Sequence, residues 1–296
     1  MTISIGIHHH HDLWHVCLME NGRALECISF EDDNAILTYL EHTCTLYPEP
    51  VIALSSHLHV PLSPLNMLVE DMLQSPTPTT IFDGAFDKFL VALNTINFRN
   101  YILPAIEYLE SLPLHRKLYR GPLGDTARLC RIATLLYRLR VQETFWSAMC
   151  FLYLEVGRYS SSIAVVKEGQ IIDAISTKAL YAETQYTDCE GDEHECSVAS
   201  AFLEVVTQDL AGLLALHHYE DVVLAYDYLS LPGTYLKKAL IDRFGDLYQL
   251  YLYPPDESEP ASFDTVIGAA ILAEGLSHPG LAAEIVERLL SPLAQS

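Results

Sequence analysis

The feature that most constrains this chain is a pattern that occurs twice: strand, polar loop, strand, tight turn, strand. The first copy spans residues 2–29. Ile3, Ile5 and Ile7 alternate into a run of four histidines, and a second alternating segment passes through His15, Cys17 and Met19 to Asn21-Gly22. An Asn-Gly pair tolerates positive φ at both positions and is the strongest short hairpin signal. The histidines therefore fall in the connection between two hairpin strands and belong to the fold; a purification tag would lie outside it. The second copy comprises "CFLYLEVG" (150–157) and "SSIAVVKEGQIIDAIS" (161–176), with Lys167-Glu168-Gly169 as its turn.

Helical and buried-strand patterns follow each copy in similar order. Residues 32–47 place Ile36, Leu37, Leu40 and Leu46 at helical spacing, and 49–57 read as a buried parallel strand. A loop-rich passage covers 61–78. An amphipathic helical pattern occupies 84–112, broken near Pro104. A further helix covers 124–146, with Gly124-Asp125-Thr126 as its N-cap region. After the second hairpin come a helix (198–217), a strand (221–226), a helix (233–244) and two closing helices (265–277 and 280–290). Two similar halves of this kind predict a duplicated α/β architecture.

Composition narrows the functional classes. The 296 residues are half apolar and suit two domains. No run approaches the about 20 apolar residues of a membrane span. The opening MTISIGI lacks a basic segment and cleavage site, so a cytoplasmic location is expected. Seven cysteines, at 17, 27, 44, 130, 150, 189 and 196, are odd in number and scattered, as expected of free thiols in a reducing compartment. Seventeen Lys+Arg against 39 Asp+Glu give a net charge of −22, which argues against nucleic acid or anionic membrane as partner. The basic residues concentrate in "HRKLYR" (115–120), "ARLCRI" (127–132) and "YRLR" (137–140). This island is either a site for a small anionic ligand or a set of arginines paired with surplus carboxylates.

Four blocks, taken in order, resemble the superfamily of acetate and sugar kinases, heat-shock chaperones and actin, and more narrowly a butyrate-kinase-like family within it. "SIGIHHHHDLWHVCL" stands where that superfamily has its first phosphate hairpin and "YLEVGRYSSSIAVVKEGQIID" where it has its second. "DVVLAYDYLSLPGTYLKKALIDRFG" with "VIGAAILAEGL" resembles the adenosine segment. "LPLHRKLYRGPLGDTARLCRIA" (112–133) is similar to an internal signature of the narrower family. The resemblance implies two actin-like (ribonuclease H-like) α/β domains with an interdomain cleft: 1–145, carrying a helical insertion, and 146–296.

The same resemblance locates departures from the nucleotide-binding pattern. The first loop of the superfamily carries an aspartate for hydrated Mg²⁺ and a Gly-Thr that admits phosphate. Here His8 stands at the aspartate position, with His10 and His11 near the Gly-Thr. The second loop keeps Glu155 and Gly157 but continues with Arg158 and Tyr159. The adenosine loop has Ala225-Tyr226-Asp227-Tyr228 in place of paired glycines. Three loops with side chains where backbone approaches the nucleotide imply weak or absent binding of ATP and Mg²⁺.

Three functional readings stand side by side. The first is a degenerate, non-catalytic scaffold or ligand-binding protein. The second is a small-molecule phosphotransferase acting on a carboxylate or sugar. In it Arg116, Lys117, Arg120, Arg128, Gly157, Arg158, Ser160 and Asp227 would contact the ligand or its phosphate, and Asp125 or Glu155 would serve as base or metal partner. The third is transition-metal binding, of Zn²⁺ or Ni²⁺, through His8, His9, His10, His11 and Asp12. "CEGDEHEC" (189–196) adds donors but matches no ordered zinc module. A homo-oligomer is compatible with all three.

Overall fold

Each hairpin forms the antiparallel side of a mixed sheet. The computed structural model describes residues 2–10, 13–47, 49–56, 58–74, 84–96, 98–119, 123–156, 160–178, 197–226, 231–246, 248–253 and 261–290. In the first sheet β1 (Ile3–His10), β2 (Leu13–Glu20) and β3 (Arg23–Phe30) pair antiparallel. After α1 (Asp33–Leu46), β4 (Val51–Ser55) pairs parallel with β1. The short β5 (Ser63–Pro64), α2 (Leu65–Gln74) and α3 (Gly84–Thr95) precede β6 (Arg99–Ile102), which lies parallel to β4. The sheet order is β3-β2-β1-β4-β6-β5.

The second sheet repeats that plan. After α4 (Leu114–Tyr119) and α5 (Thr126–Val141), β7 (Phe151–Val156), β8 (Ser160–Lys167) and β9 (Gln170–Lys178) form an antiparallel set. Following α6 (Ser197–His217), β10 (Asp221–Tyr226) pairs parallel with β7. Following α7 (Leu231–Phe244), β11 (Gln249–Tyr253) pairs parallel with β10. The order β11-β10-β7-β8-β9 matches β6-β4-β1-β2-β3 strand for strand. The closing helices are α8 (Ala261–Ser277) and α9 (Leu281–Leu290). No single helix among the described residues is long and apolar enough to cross a membrane.

Two compact units result. One comprises 1–109, 125–143 and 262–296; the other comprises 110–124 and 144–261. Segments 110–124 and 262–296 each join the unit opposite to the one their place in the chain suggests. In the first unit, Ile3, Ile5, Ile7, Trp14, Val16, Ile52, Leu54 and Ile102 form one apolar face packed against Ile36 and Leu40 of α1, Leu65 of α2 and Phe89 of α3. In the second, Leu152, Leu154, Val156, Ile163 and Val165 pack against Val206 and Leu210 of α6 and Leu240 of α7.

Two expectations are corrected. His8, His9 and His10 do not form the hairpin connection, because β1 continues through His10; His11 lies outside the described residues. His8 pairs with His15, His9 with Trp14 and His10 with Leu13. Imidazole is compatible with extended backbone, and the rings find neighbours on both faces of the sheet. The helical pattern over 84–112 also ends early: α3 stops at Thr95, and 99–102 are the strand β6. Its Asn100 side chain donates to the Leu93 carbonyl at the end of α3 (3.3 Å), tying strand to helix. A short apolar run fits either periodicity, and here pairing with β4 prevails.

Candidate functional site

Alternation along β1 separates its side chains. Isoleucines 3, 5 and 7 enter the apolar face, so Ser4, Gly6 and His8 occupy the other. That second face meets α8 at backbone distance. A Cβ on Gly6 would lie 1.9 Å from the Val266 carbonyl oxygen and 2.5 Å from the Ala270 nitrogen. Gly268 of α8 approaches α5 as closely, since its Cβ would stand 1.9 Å from the Cys130 carbonyl oxygen. The hairpin turn docks on the same helices. Gly22 donates its N–H to Glu274 (2.8 Å) and accepts from the Tyr137 hydroxyl (3.1 Å).

One rung beyond Gly6, the site begins. His8 is 6% exposed. Its Nδ1 donates to the Ser55 carbonyl at 3.2 Å. His15, opposite it, stacks with ring centroids 6.5 Å apart and hydrogen-bonds Ser29 Oγ at 2.8 Å. The ring of Phe263 meets His15 edge-on at 5.8 Å. Burial lowers the His15 pKa, favouring the neutral imidazole.

The first turn of α5 adds the charged groups. Asp125 is the N-cap, its Oδ1 accepting the Arg128 N–H at 3.1 Å, with the Arg128 guanidinium 3.6 Å away. Arg131 donates to Thr265 Oγ1 at 3.1 Å. Burial alone would raise the Asp125 pKa. Arg128, Arg131, the capping N–H and His8 outweigh it and hold the carboxyl below its usual range. Burial also pushes the neighbouring Cys130 thiol up to about 12, against a hydrogen bond from Ser55. Two guanidiniums, one carboxylate and an imidazole thus meet at the start of a helix. The sum is locally positive in a strongly acidic chain, which suits a small anion.

The remaining expected site residues separate into several environments. Arg138 pairs with Asp264 (2.8 Å) and Arg140 with Glu284 (3.2 Å), so this part of the basic stretch is structural. Arg116 is committed too. Its Nε and terminal nitrogen grip Asp173 at 2.7 and 2.8 Å, while His217 Nε2 and the Ala174 N–H complete the carboxylate's shell at 2.9 and 2.8 Å. Arg116, expected from the sequence to contact phosphate, holds a carboxylate in its guanidinium fork, and Asp173 is 4% exposed. Lys117 is half-buried on α4, in the same unit as Arg116, whereas Arg128 belongs to the other unit. Glu155 is half-buried on β7 opposite Ser162, and Ser160 begins β8 opposite Lys178. Arg120, Gly157, Arg158, Asp227, His11, Asp12 and the segment 189–196 lie outside the described residues, as does the side chain of His10.

The two described histidines of the run point apart. His8 faces α5 and α8. His9 lies on the opposite face, 4.3 Å from the Trp14 ring and 5.3 Å from that of Phe86. Among the described residues no group of three or more His, Cys, Asp or Glu is placed to hold a metal ion. Sequence reasoning missed Asp173, Ser55 and Thr265. A single carboxylate inside the apolar strand "QIIDAIS" was the one available signal; the two hydroxyls gave none.

Comparison with known proteins identifies the fold. A family model described as "Protein of unknown function (DUF1464)" matches residues 28–190. No curated protein matches the sequence. Among solved structures, acetate kinase from Entamoeba histolytica superposes with a TM-score of 0.52 at 9% identity, over 83% of this chain and 87% of that one. The activator of 2-hydroxyisocaproyl-CoA dehydratase from Clostridium difficile, with bound ADPNP, gives 0.47 at 8% identity, over 97% and 96%. The PilM-PilN type IV pilus biogenesis complex gives 0.49 at 14% identity, over 91% and 98%. The chain has the two-domain actin-like fold shared by acetate and sugar kinases. At such identities the likeness concerns fold and carries no activity with it.

Proposed function

The chain belongs to the DUF1464 family of proteins of unknown function, and from that premise we propose that it is a non-catalytic, ligand-binding or scaffold member of the actin-like superfamily, with butyrate-kinase-like ancestry. The observation that carries this reading is His8. The superfamily resemblance puts an aspartate there, to hold hydrated Mg²⁺. Here a buried imidazole spends its Nδ1–H on the Ser55 carbonyl. A hard cation prefers carboxylate and water oxygens, so these residues do not fit the ion. Asp125, the carboxylate that His8 influences, is engaged by its own helix and by Arg128. A small anion held by Arg128 and Arg131 is the ligand class that this chemistry favours.

Titration calorimetry against ATP and ADP, with and without Mg²⁺, tests the proposal. The expected dissociation constant is about millimolar or weaker, corresponding to no more than about 4 kcal/mol of binding. Micromolar affinity that disappears in Arg158→Ala would overturn it, because a guanidinium can bind phosphate without glycine or metal.

One observation favours the phosphotransferase reading as the second choice. Asp125 is held ionised, and its side chain is 44% exposed, so it is able to take a proton from a substrate hydroxyl or to meet a metal. Carboxylate-dependent release of ADP that falls with Asp125→Asn would favour this alternative.

A further inference from the structure

We propose that Cys17 and Cys27 form a reversible dithiol–disulfide switch on the first hairpin. The two residues stand directly opposite each other in the antiparallel β2–β3 register, so their side chains share one face. That face is the one carrying Gly6, which is the β1 partner of Cys17, and it is covered by α8. Cys17 is completely buried, whereas Cys27 is half-buried on β3, the outermost strand of the sheet. Directly opposed strand residues have Cα atoms about 4.5–5.5 Å apart, within the 4.4–6.8 Å a disulfide spans. Their Cβ atoms must close by up to about 1 Å. The register irregularity between Leu18 and Met19, next to Cys17, gives the edge strand room to do so.

The two thiols are chemically unequal. A hydrogen bond with Cys27 is the largest influence raising the Cys17 pKa, followed by burial and by repulsion from a Cys27 thiolate. Cys17 therefore keeps its proton, and Cys27, the more exposed of the two, is the sulfur that meets an oxidant. A low-molecular-weight disulfide of the glutathione type is the oxidant. The Cys27 thiolate attacks one of its sulfurs, forming a mixed disulfide and releasing one thiolate. With Cys27 no longer anionic, the repulsion on Cys17 is gone. Cys17 loses its proton, attacks the Cys27 sulfur and expels the second thiolate. Two protein thiols are oxidised by two electrons, one small disulfide is reduced to two thiols, and the protons end on the leaving groups. Closing this rung pulls on the next one, where His15 and Ser29 are hydrogen-bonded beside His8. Buried Cys130 and half-buried Cys44, with thiols pushed up to about 12 and about 11 by burial, sit on helices, away from the opposed strand register that Cys17 and Cys27 share.

The test uses the native full-length protein. It is incubated with oxidised glutathione, free thiols are blocked by alkylation, and the chain is cut with a glutamate-specific protease, which cleaves after Glu20, Glu26, Glu31 and Glu41 and so puts Cys17, Cys27 and Cys44 on separate peptides. The expected map shows the two peptides joined through Cys17 and Cys27, and separated again by dithiothreitol. Cys17→Ser should instead retain glutathione on Cys27. Failure of the joined peptides to form in wild type, their formation only in denaturant, or glutathione persisting on Cys27 beside an alkylated Cys17 would each overturn the proposal. The wild-type map decides even if the variant does not fold.

Discussion

The two sheets share one strand order, yet they bury different chemistry on the face opposite their main apolar cluster. In the first, that face carries Ser4, Gly6, His8, His15 and Ser55, with the imidazoles inside. In the second, the corresponding face of β7 and β8 carries Phe151, Tyr153, Ala164 and Val166, and reaches Glu155 and Ser162 only at the loop end. Tyr153 packs edge-on to Tyr253 at 6.4 Å. A mixed sheet needs one apolar face to fold; the other is free to diverge. The first unit has filled it with ionisable groups and direct helix contacts. The second has filled it with aromatic and aliphatic bulk, and places its ionic cluster around Asp173 on the edge strand.

The largest effects should separate the units. Gly6→Val places a side chain inside the backbone of α8, where no rotamer escapes, and is expected to destabilise by more than about 4 kcal/mol. Chemical denaturation followed by hydrogen exchange should show β1, β2 and β4 losing protection first. Exchange lost equally from β7 and β8 would show that the sheets unfold as one. Asp173→Ala strands the Arg116 and His217 partners of a buried carboxylate, with an expected loss of about 3–5 kcal/mol. Its signature should be loss of protection in β9 and the end of α6, with β1 unaffected.

A smaller effect belongs to Asp125. Removing this N-cap in Asp125→Ala should cost about 1 kcal/mol. Because its folded pKa is depressed, its contribution is complete above the ordinary carboxylate range and is lost as pH falls through the folded value. The variant's deficit, read from thermal melts, should therefore shrink in acid. The smallest effect is at His15. Burial lowers its pKa, so on acidification the unfolded chain takes the proton first. Its stabilisation is full above about pH 6.5 and declines as pH falls further. Between pH 7 and 5, melts of His15→Gln should lose less stability than wild type; equal slopes would show that His15 is protonated in the folded protein.

Legibility followed the range of the interaction. Both tight turns were readable because Asn21-Gly22 and Glu168-Gly169 must adopt positive φ, and they do. The Asp125 cap was readable because its partner is three residues away. The end of β1 was misplaced because a polar run resembles a loop until its neighbours are known. Trp14, Phe86 and Ser55 are those neighbours. The fate of Arg116 was hidden for the same reason: Asp173 lies 57 residues along the chain. At the candidate site, residue types were legible, but their commitments to carbonyls, caps and buried carboxylates were not.

The close seating of α8 on Gly6 bears on how the protein is made. The strand leaves the ribosome before the helix that covers it. Until residues beyond 262 emerge, the Gly6 face of the first sheet lacks its α8 cover, while the second unit, apart from 110–124, is drawn from 144–261. Domains generally condense as their chain becomes available. The second unit therefore completes itself before α8 is made, and the first sheet waits over that interval with a partly open face that holds two imidazoles and a thiol. That interval is when such a surface is most exposed to wrong partners and to chaperones.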